Sequence, residues 1–577
     1  MKYRRFDIYK IFWVVLIVLI PLFPLSGINY GVDIGDVGFS LSQYRFFFSD
    51  IDTIYLPLYL TDLIGAVLMR GMEFFGIPVY LGFGVLWAVS CWYLCFLGYR
   101  LYLRYWDDRL VLPALALAAL LAKCNFHYFI YNTTVALMAL TGLYFLVRAV
   151  NDKKPWLLGI AALFFVLATL CKISALLQFA AFAILFYDLY RKRDWGYFRK
   201  EIGYCVLGVV TGVLLACILF SFTCGIRNYG QMVLDMFVYA GSSGDGHTIG
   251  NMIAINVQGA VRGLMLLIPV GVVFFLTQRD RAIESVLRYL IPAGLLIMLI
   301  GQAAGLANVP YIGKIYGIFL DYYNVLAVLM AYIYVCVLLV CVRDRYTGEQ
   351  RVLVISAGLL TVLMPIGSNV GISHLCNEMF LVLPALFISA ADLVRDPRST
   401  VGEKETGPKR FLPTAGVWIL AAMCAWYFGL VGYQSLYLTR AYLMADADRL
   451  REFSLTELRG MRYDSAMVEN LEETVEFLRE SGSAADSMVV AGSAPLLYYL
   501  SGIRPLITGC GGWIETDYVS AEEISEQLIQ RETNPVVVFR QNTSMEPSEK
   551  MDVIMDFVDA NHYREVFSNE DYIVFME

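Results

Sequence analysis

Long apolar runs broken by short polar links dominate the first 432 residues, and the pattern changes abruptly after them. Apolar stretches long enough to cross a bilayer fall at about 10–26, 77–99, 109–124, 129–149, 156–172, 174–190, 203–222, 259–277, 288–306, 317–342, 351–366, 378–394 and 412–432. They predict about thirteen membrane-spanning helices. Beyond Tyr433, an amphipathic helix at 465–481 precedes the strand-like SMVVAG, a further helix and a short strand near Pro505 to Thr508. A helix at 520–531, the strand PVVVFR, a helix at 548–560 and two closing strands follow. Alternating strands and helices predict a small sheet covered by helices. The chain therefore divides into a membrane domain, 1–435, and an α/β domain, 436–577.

Composition agrees with a polytopic α-helical membrane protein, since only 16% of the residues are charged and 58% are hydrophobic. The Lys and Arg distribution orients it. With the N-terminus in the cytoplasm, inner loops hold 26 cations and the outer loops and helix ends up to residue 432 hold 7: Arg45, Arg70, Lys123, Lys172, Arg227, Arg262 and Lys314. An odd number of crossings places the α/β tail outside. The opening MKYRRFDIYK resembles a signal peptide, but no small-residue cleavage site follows, so the first helix is expected to be retained. A net charge of −7, with its acidic weight in the tail, argues against nucleic acid as a partner. The twelve cysteines form no CxxC pair and sit mostly in apolar runs (Cys91, Cys95, Cys205, Cys217, Cys336, Cys341), where they read as small buried hydrophobes.

The first outer loop, 27–76, is far longer than a helix connection needs, and long loops in compact proteins tend to carry function. Asp33 and Asp36 stand where the chain leaves the membrane, with Tyr44 and Arg45 two to three helical turns later. As capping residues, the two acids would start a helix near Gly38. The following IYLPLYLTDLIGAVLMRGMEFFG sets Thr61, Asp62, Arg70 and Glu73 among apolar residues, as a helix lying on a membrane surface would. In the tail, the GSAP and GCGG turns match no glycine-rich phosphate fingerprint. After the seventh span, SSGDGH is glycine-rich enough for a mobile lid and lacks the ligand spacing of a calcium loop.

These features together resemble the membrane-embedded GT-C glycosyltransferases, the superfamily of protein O-mannosyltransferases (glycosyltransferase family 39) and lipid A aminoarabinose transferases. Their first outer loop opens on an acidic motif, Asp-Glu-Gly-Tyr or similar, where this chain has Asp36-Val37-Gly38-Phe39. Val37 replaces the second acid, leaving Asp36 as the match. The resemblance extends to Tyr131-Asn132-Thr133 at the start of the fourth span, to Lys172 at the end of the fifth, and to PIGSNVGISHLCNEMF in the last outer loop of the core. It implies transfer of one sugar, with inversion, from a polyprenyl-phosphate donor to a glycan, lipid or protein acceptor at the outer face of a bacterial inner membrane, the chain lying among membrane lipids. Asp36 would be the base, seconded by Asp33. Lys172, Arg45, Tyr131, Asn132, His247, Asn369, His374, Asn377 and Glu378 would bind donor phosphate or substrate. Whether a divalent cation assists is left open; no other cofactor is implied.

Competing readings attach to the same residues. Lys172 also suits a cation snorkelling to the interface, and His374 and Asn377 suit ordinary capping. A transporter or flippase would show broken helices and mid-membrane charges; here Asp188, Asp321 and Asp392 lie near the span boundaries. An O-antigen ligase or polymerase usually keeps its large loop late in the chain.

Overall fold

The computed structural model describes residues 24–106, 128–242, 346–366, 450–481, 485–516, 519–541 and 549–577, with parts of 14–22, 111–119, 250–265 and 380–385. Two short helices open it, α1 (Asp36–Phe46) and α2 (Tyr59–Phe74). The apolar helices α3 (Val79–Tyr102), α4 (Tyr131–Asn151) and α5 (Trp156–Cys171) come next. A 3-10 stretch, Ile173–Ala183, leads into α6 (Ile184–Lys192), followed by α7 (Trp195–Phe222), α8 (Ile226–Ser242) and α9 (Gly348–Leu363). Among the described residues, four stretches are long and apolar enough to cross a membrane: Val79–Tyr102, Tyr131–Asn151, Ile173–Lys192 and Trp195–Phe222. They coincide with four expected spans. The expected spans 259–277, 288–306, 317–342, 378–394 and 412–432 lie wholly or largely outside the described residues, so the total of thirteen is carried by the sequence alone.

Helix packing here depends on small residues. On α7, Gly208 and Gly212 are spaced as GxxxG, and a Cβ on Gly208 would meet the Gly159 carbonyl oxygen of α5 at 2.1 Å. The opposite side of α7 leaves Leu207, Leu214 and Ile218 exposed, as a helix facing lipid does. Helix α7 also begins earlier than its apolar run, because Asp194 caps it by accepting the Tyr197 N–H at 2.9 Å. The sequence predicts one helix over 174–190, but its first half is wound as 3-10. At about 2.0 Å per residue in the 3-10 part and about 1.5 Å in the α part, the stretch reaches about 35 Å, enough for a bilayer core.

Residues 450–577 form a five-stranded sheet in the order β4-β3-β5-β7-β6, and a separate antiparallel pair. The pair is β1 (Leu450–Glu452) with β2 (Arg462–Asp464). The sheet contains β3 (Ser487–Ala491), β4 (Arg504–Pro505), β5 (Val536–Arg540), β6 (Arg564–Ser568) and β7 (Tyr572–Met576). Strands β3, β4 and β5 run parallel, while β7 is antiparallel to both β5 and β6. Its helices are α10 (Ser465–Ser481), α11 (Leu496–Ser501), α12 (Ala521–Ile529) and α13 (Glu549–Ala560), close to the ranges the sequence predicts.

This α/β unit is seated on the first loop. Arg462 N donates to the Asn29 carbonyl at 2.9 Å, and Gly31 N donates to the Arg462 carbonyl at 2.9 Å. Leu496 N reaches the Ile34 carbonyl at 3.2 Å, and a Cβ on Gly38 would strike Leu496 at 2.6 Å. Helix α1 is buried at nine positions because it is held between α2 and α11. The two unexplained turns of the tail belong to this seam. Gly511, at φ +61°, donates to the Thr53 carbonyl at 3.0 Å and leaves no room for a side chain beside Gln43. The GSAP turn delivers α11.

Candidate active site

The chain leaves Val32 into a tight turn whose N–H groups Asp33 gathers. Its Oδ1 accepts the Gly35 N–H at 2.8 Å, and the Val37 N–H also supports its charge. The helix that follows begins at Asp36 with Gly35 as its N-cap, so Asp33 braces the turn before the helix rather than capping one near Gly38. Asp36 makes no cap bond and lies inside the first turn of α1, where its Oδ1 accepts the Tyr131 hydroxyl at 2.8 Å.

Tyr131 opens α4, and Lys172 ends α5 in extended conformation, so the two helices bring both residues to one end of the bundle. The Lys172 ammonium lies 5.3 Å from the centre of the Tyr131 ring, a cation–π distance. Burial pushes the Asp36 carboxyl up, while the Tyr131 hydrogen bond and the Lys172 charge pull it down; the net shift is upward. Asp33 rises to about 6, from burial first and the Asp36 charge second, with the Gly35 and Val37 N–H groups and Arg540 of the tail opposing. Asp33 Oδ2 is buried without a hydrogen-bond partner among the described residues. Two carboxyls, one tyrosine hydroxyl and one ammonium group therefore meet where the helix bundle ends. That set can take a proton from a hydroxyl and compensate a nearby anion.

Of the other residues expected to bind substrate, Asn132 follows Tyr131 and is buried, with Oδ1 unpartnered among the described residues. Arg45 is displaced from the acids. It lies nine residues beyond Asp36, about 13 Å along a helix, and its guanidinium donates to the Tyr499 carbonyl and covers the Tyr499 ring at 5.8 Å. Its place is the seam with the tail. His247, Asn369, His374, Asn377, Glu378 and most of the SSGDGH segment lie outside the described residues. The surface-helix expectation for α2 also needs correction: Thr61 and Asp62, placed on its wet face by the pattern, are both 1% exposed. The Thr61 hydroxyl meets the Thr134 hydroxyl at 2.6 Å and donates to the Cys171 carbonyl at 3.2 Å, tying α2 to α4 and α5. Such a residue looks solvent-facing until its partners arrive.

Three contributors escaped the sequence reading. Tyr80 accepts the Asp33 N–H at 2.6 Å and meets the Tyr128 ring edge-on at 4.5 Å. From the tail, Trp513 packs against Phe39 with ring centres 5.6 Å apart and donates its indole N–H to Ser493 at 3.0 Å. Arg540, at the end of β5, directs its charge toward Asp33. A tryptophan immediately after the glycine turn was the available signal for Trp513. Among the described residues, no three His, Cys, Asp or Glu side chains form a metal-ligand group.

Fold and site define a helical protein with several apolar spans and an acid-bearing first loop capped by an α/β domain. No protein-family model matches the chain, and no curated protein matches it. Among solved structures, a crystal structure of ArnT from Cupriavidus metallidurans bound to undecaprenyl phosphate is similar, at 13% sequence identity. The likeness covers 98% of this chain and 97% of that one with a TM-score of 0.49, a superposition too loose to bear on what this chain binds.

Proposed function

We propose that the protein is a membrane glycosyltransferase that moves one sugar from a polyprenyl-phosphate carrier to a cell-envelope acceptor at the outer face of a bacterial inner membrane. The observation that carries the reading is the Asp36–Tyr131–Lys172 arrangement, a carboxylate and a cation held together at the ends of apolar helices. The acceptor hydroxyl gives its proton to Asp36 as its oxygen bonds to the anomeric carbon. The bond from that carbon to the carrier phosphate breaks, its electron pair leaves with the phosphate, and Lys172 balances the departing charge. Single displacement inverts the anomeric centre and needs one base, so Val37 in place of a second acid is compatible with it. Tyr131 orients Asp36, and its hydrogen bond opposes the effect of burial on that carboxyl.

Chemistry at this end of the bundle requires it to face outward, as the cation asymmetry places it. An alkaline phosphatase fusion at Glu577 should be active; an inactive fusion, with a cytoplasmic reporter active there, overturns the topology. Cys510 cannot serve for thiol labelling of the folded protein because it is fully buried. The decisive assay is sugar transfer from a polyprenyl-phosphate donor by purified protein in lipid. Transfer by wild type and near-loss in Asp36→Asn support the reading, whereas full transfer by Asp36→Asn refutes it.

A further inference from the structure

Beside the Asp36 site lies a cavity of about 550 Å³ that the residues above leave unused. Three parts of the chain build it: Asp52 from the first loop, Gln231 and Asp235 from α8, and Thr508, Glu523 and Gln527 from the tail. Its size falls within the range of small-molecule sites. Every charged side chain lining it among the described residues is acidic, so phosphate, sulfate and carboxylate ligands are disfavoured. Amides, carboxylates and a hydroxyl together offer the mixed donors and acceptors that sugar hydroxyls require.

Part of that lining is already set. Gln231 donates to Asp235 at 2.8 Å, and the Gln527 carbonyl oxygen accepts both the N–H and the hydroxyl of Thr508, at 2.8 and 3.1 Å. Among the described residues, the amide NH₂ of Gln527 has no hydrogen-bond partner and can donate. Tyr55, Met232 and Met236 line the cavity, and both methionines pack against the Phe39–Tyr55–Leu58 cluster, as does Tyr131, the residue that holds Asp36. Met232 accepts the Leu56 N–H at 3.1 Å, and thioether side chains repack readily.

We infer that this cavity is the acceptor site, that it takes a neutral or amine-bearing polyhydroxylated compound, and that the reacting hydroxyl reaches Asp36 past Met232 and Met236. The word acceptor rests on the transferase reading; the ligand chemistry rests on the cavity. It also gives the tail a role, since Thr508, Glu523 and Gln527 of the tail join Asp52, Asn228, Gln231 and Asp235 in the polar lining.

Saturation-transfer NMR on the full-length protein in nanodiscs tests it with glucose, glucosamine and glucuronic acid, sugars of one shape and different charge. Glucose and glucosamine should show transfer and glucuronic acid should not. Gln527→Ala should weaken glucose binding about tenfold, the loss of one hydrogen bond. Asp235→Lys, on the cavity side of α8, should admit glucuronic acid. Equal binding of all three sugars, no binding of glucose, or unchanged binding in both variants overturns the inference. Asp36→Asn separates it from the transferase reading: if transfer survives while sugar binding maps to Gln527 and Asp235, only the transferase reading fails. If Asp36→Asn abolishes transfer and the cavity variants bind glucose normally, only the cavity inference fails.

Discussion

Each end of helix α4 meets a carboxylate, and the two are held in opposite ways. At its start, Asp36 has a tyrosine hydroxyl and a lysine charge, and burial leaves its carboxyl raised. Beyond its last residue, Asp152 accepts Arg104 Nη1 and Arg148 Nε, both at 2.6 Å. Burial opposes ionisation there too, yet the two arginines more than offset it and lower the carboxyl. Asp152 is thus a fixed anion in a structural ion pair. Asp36, its carboxyl raised by burial, can accept a proton during a reaction and return it. One helix shows how the same side chain becomes a strut or a reagent according to its partners.

Asp36→Asn should break the comparison most severely. Losing a general base costs typically about 10² to 10⁴-fold in rate, so sugar transfer should nearly vanish while the fold persists, the amide still accepting from Tyr131. Asp152→Asn should leave transfer within about twofold, since its ion pairs are with partly exposed arginines and lie at the far end of α4 from the reacting groups. The ratio of the two losses under saturating donor measures the contrast. Comparable losses would mean that both ends act structurally.

Lys172→Ala comes next. Removing a group that stabilises a departing anion costs about 10²-fold, and the loss should appear in the chemical step, with normal extraction yield. An anchor that only snorkels to the interface would leave donor kinetics unchanged. Tyr131→Phe keeps the ring beneath the ammonium but removes the hydroxyl that holds Asp36. Its expected loss is smaller, about 10-fold, with the pH at half-maximal rate shifted upward, because that hydrogen bond opposes the effect of burial.

The sequence made one side of this contrast legible and hid much of the other. The acid after the first span and the Lys172 end of α5 were visible because apolar runs mark where helices end, and polar residues at those ends stand out, whereas Tyr131 was singled out only through the family resemblance. Arg45 was misplaced because proximity along the chain does not reveal that a helix carries it to Tyr499. Thr61 and Asp62 were assigned to a wet face by periodicity alone, which cannot see that α4 and α5 cover it. The tail's secondary structure was readable from alternation. Its docking was not, since a glycine turn looks the same whether it cradles phosphate or, as at Gly511, lets two backbones touch.

Asp33 tests the site through stability. Its pKa rises to about 6, so the native state holds a proton that the unfolded chain has released between about pH 4 and 6. The sign follows directly: stability is highest below pH 4 and falls as pH rises through 6, by at most about 2 to 3 kcal/mol. Thermal unfolding in detergent should show that slope in the wild type, and Asp33→Asn should flatten it. An unchanged slope in the variant would assign the dependence to another group.

The smallest effect belongs to the strut itself. Arg104 and Arg148 share one carboxylate, so removing either leaves Asp152 still paired, and the first loss should cost less than the second. Both arginines are partly exposed, at 40% and 26%, so solvent screens them and each contact contributes about 0.5 kcal/mol. A double-mutant cycle with Arg104→Ala and Arg148→Ala, read by thermal unfolding, should therefore give a double loss that exceeds the sum of the singles. Transfer should stay near wild type throughout the cycle, because this end of α4 touches none of the reacting groups. If an arginine variant instead lowered transfer without lowering stability, the two ends of α4 would be coupled, and the division between strut and reagent would fail.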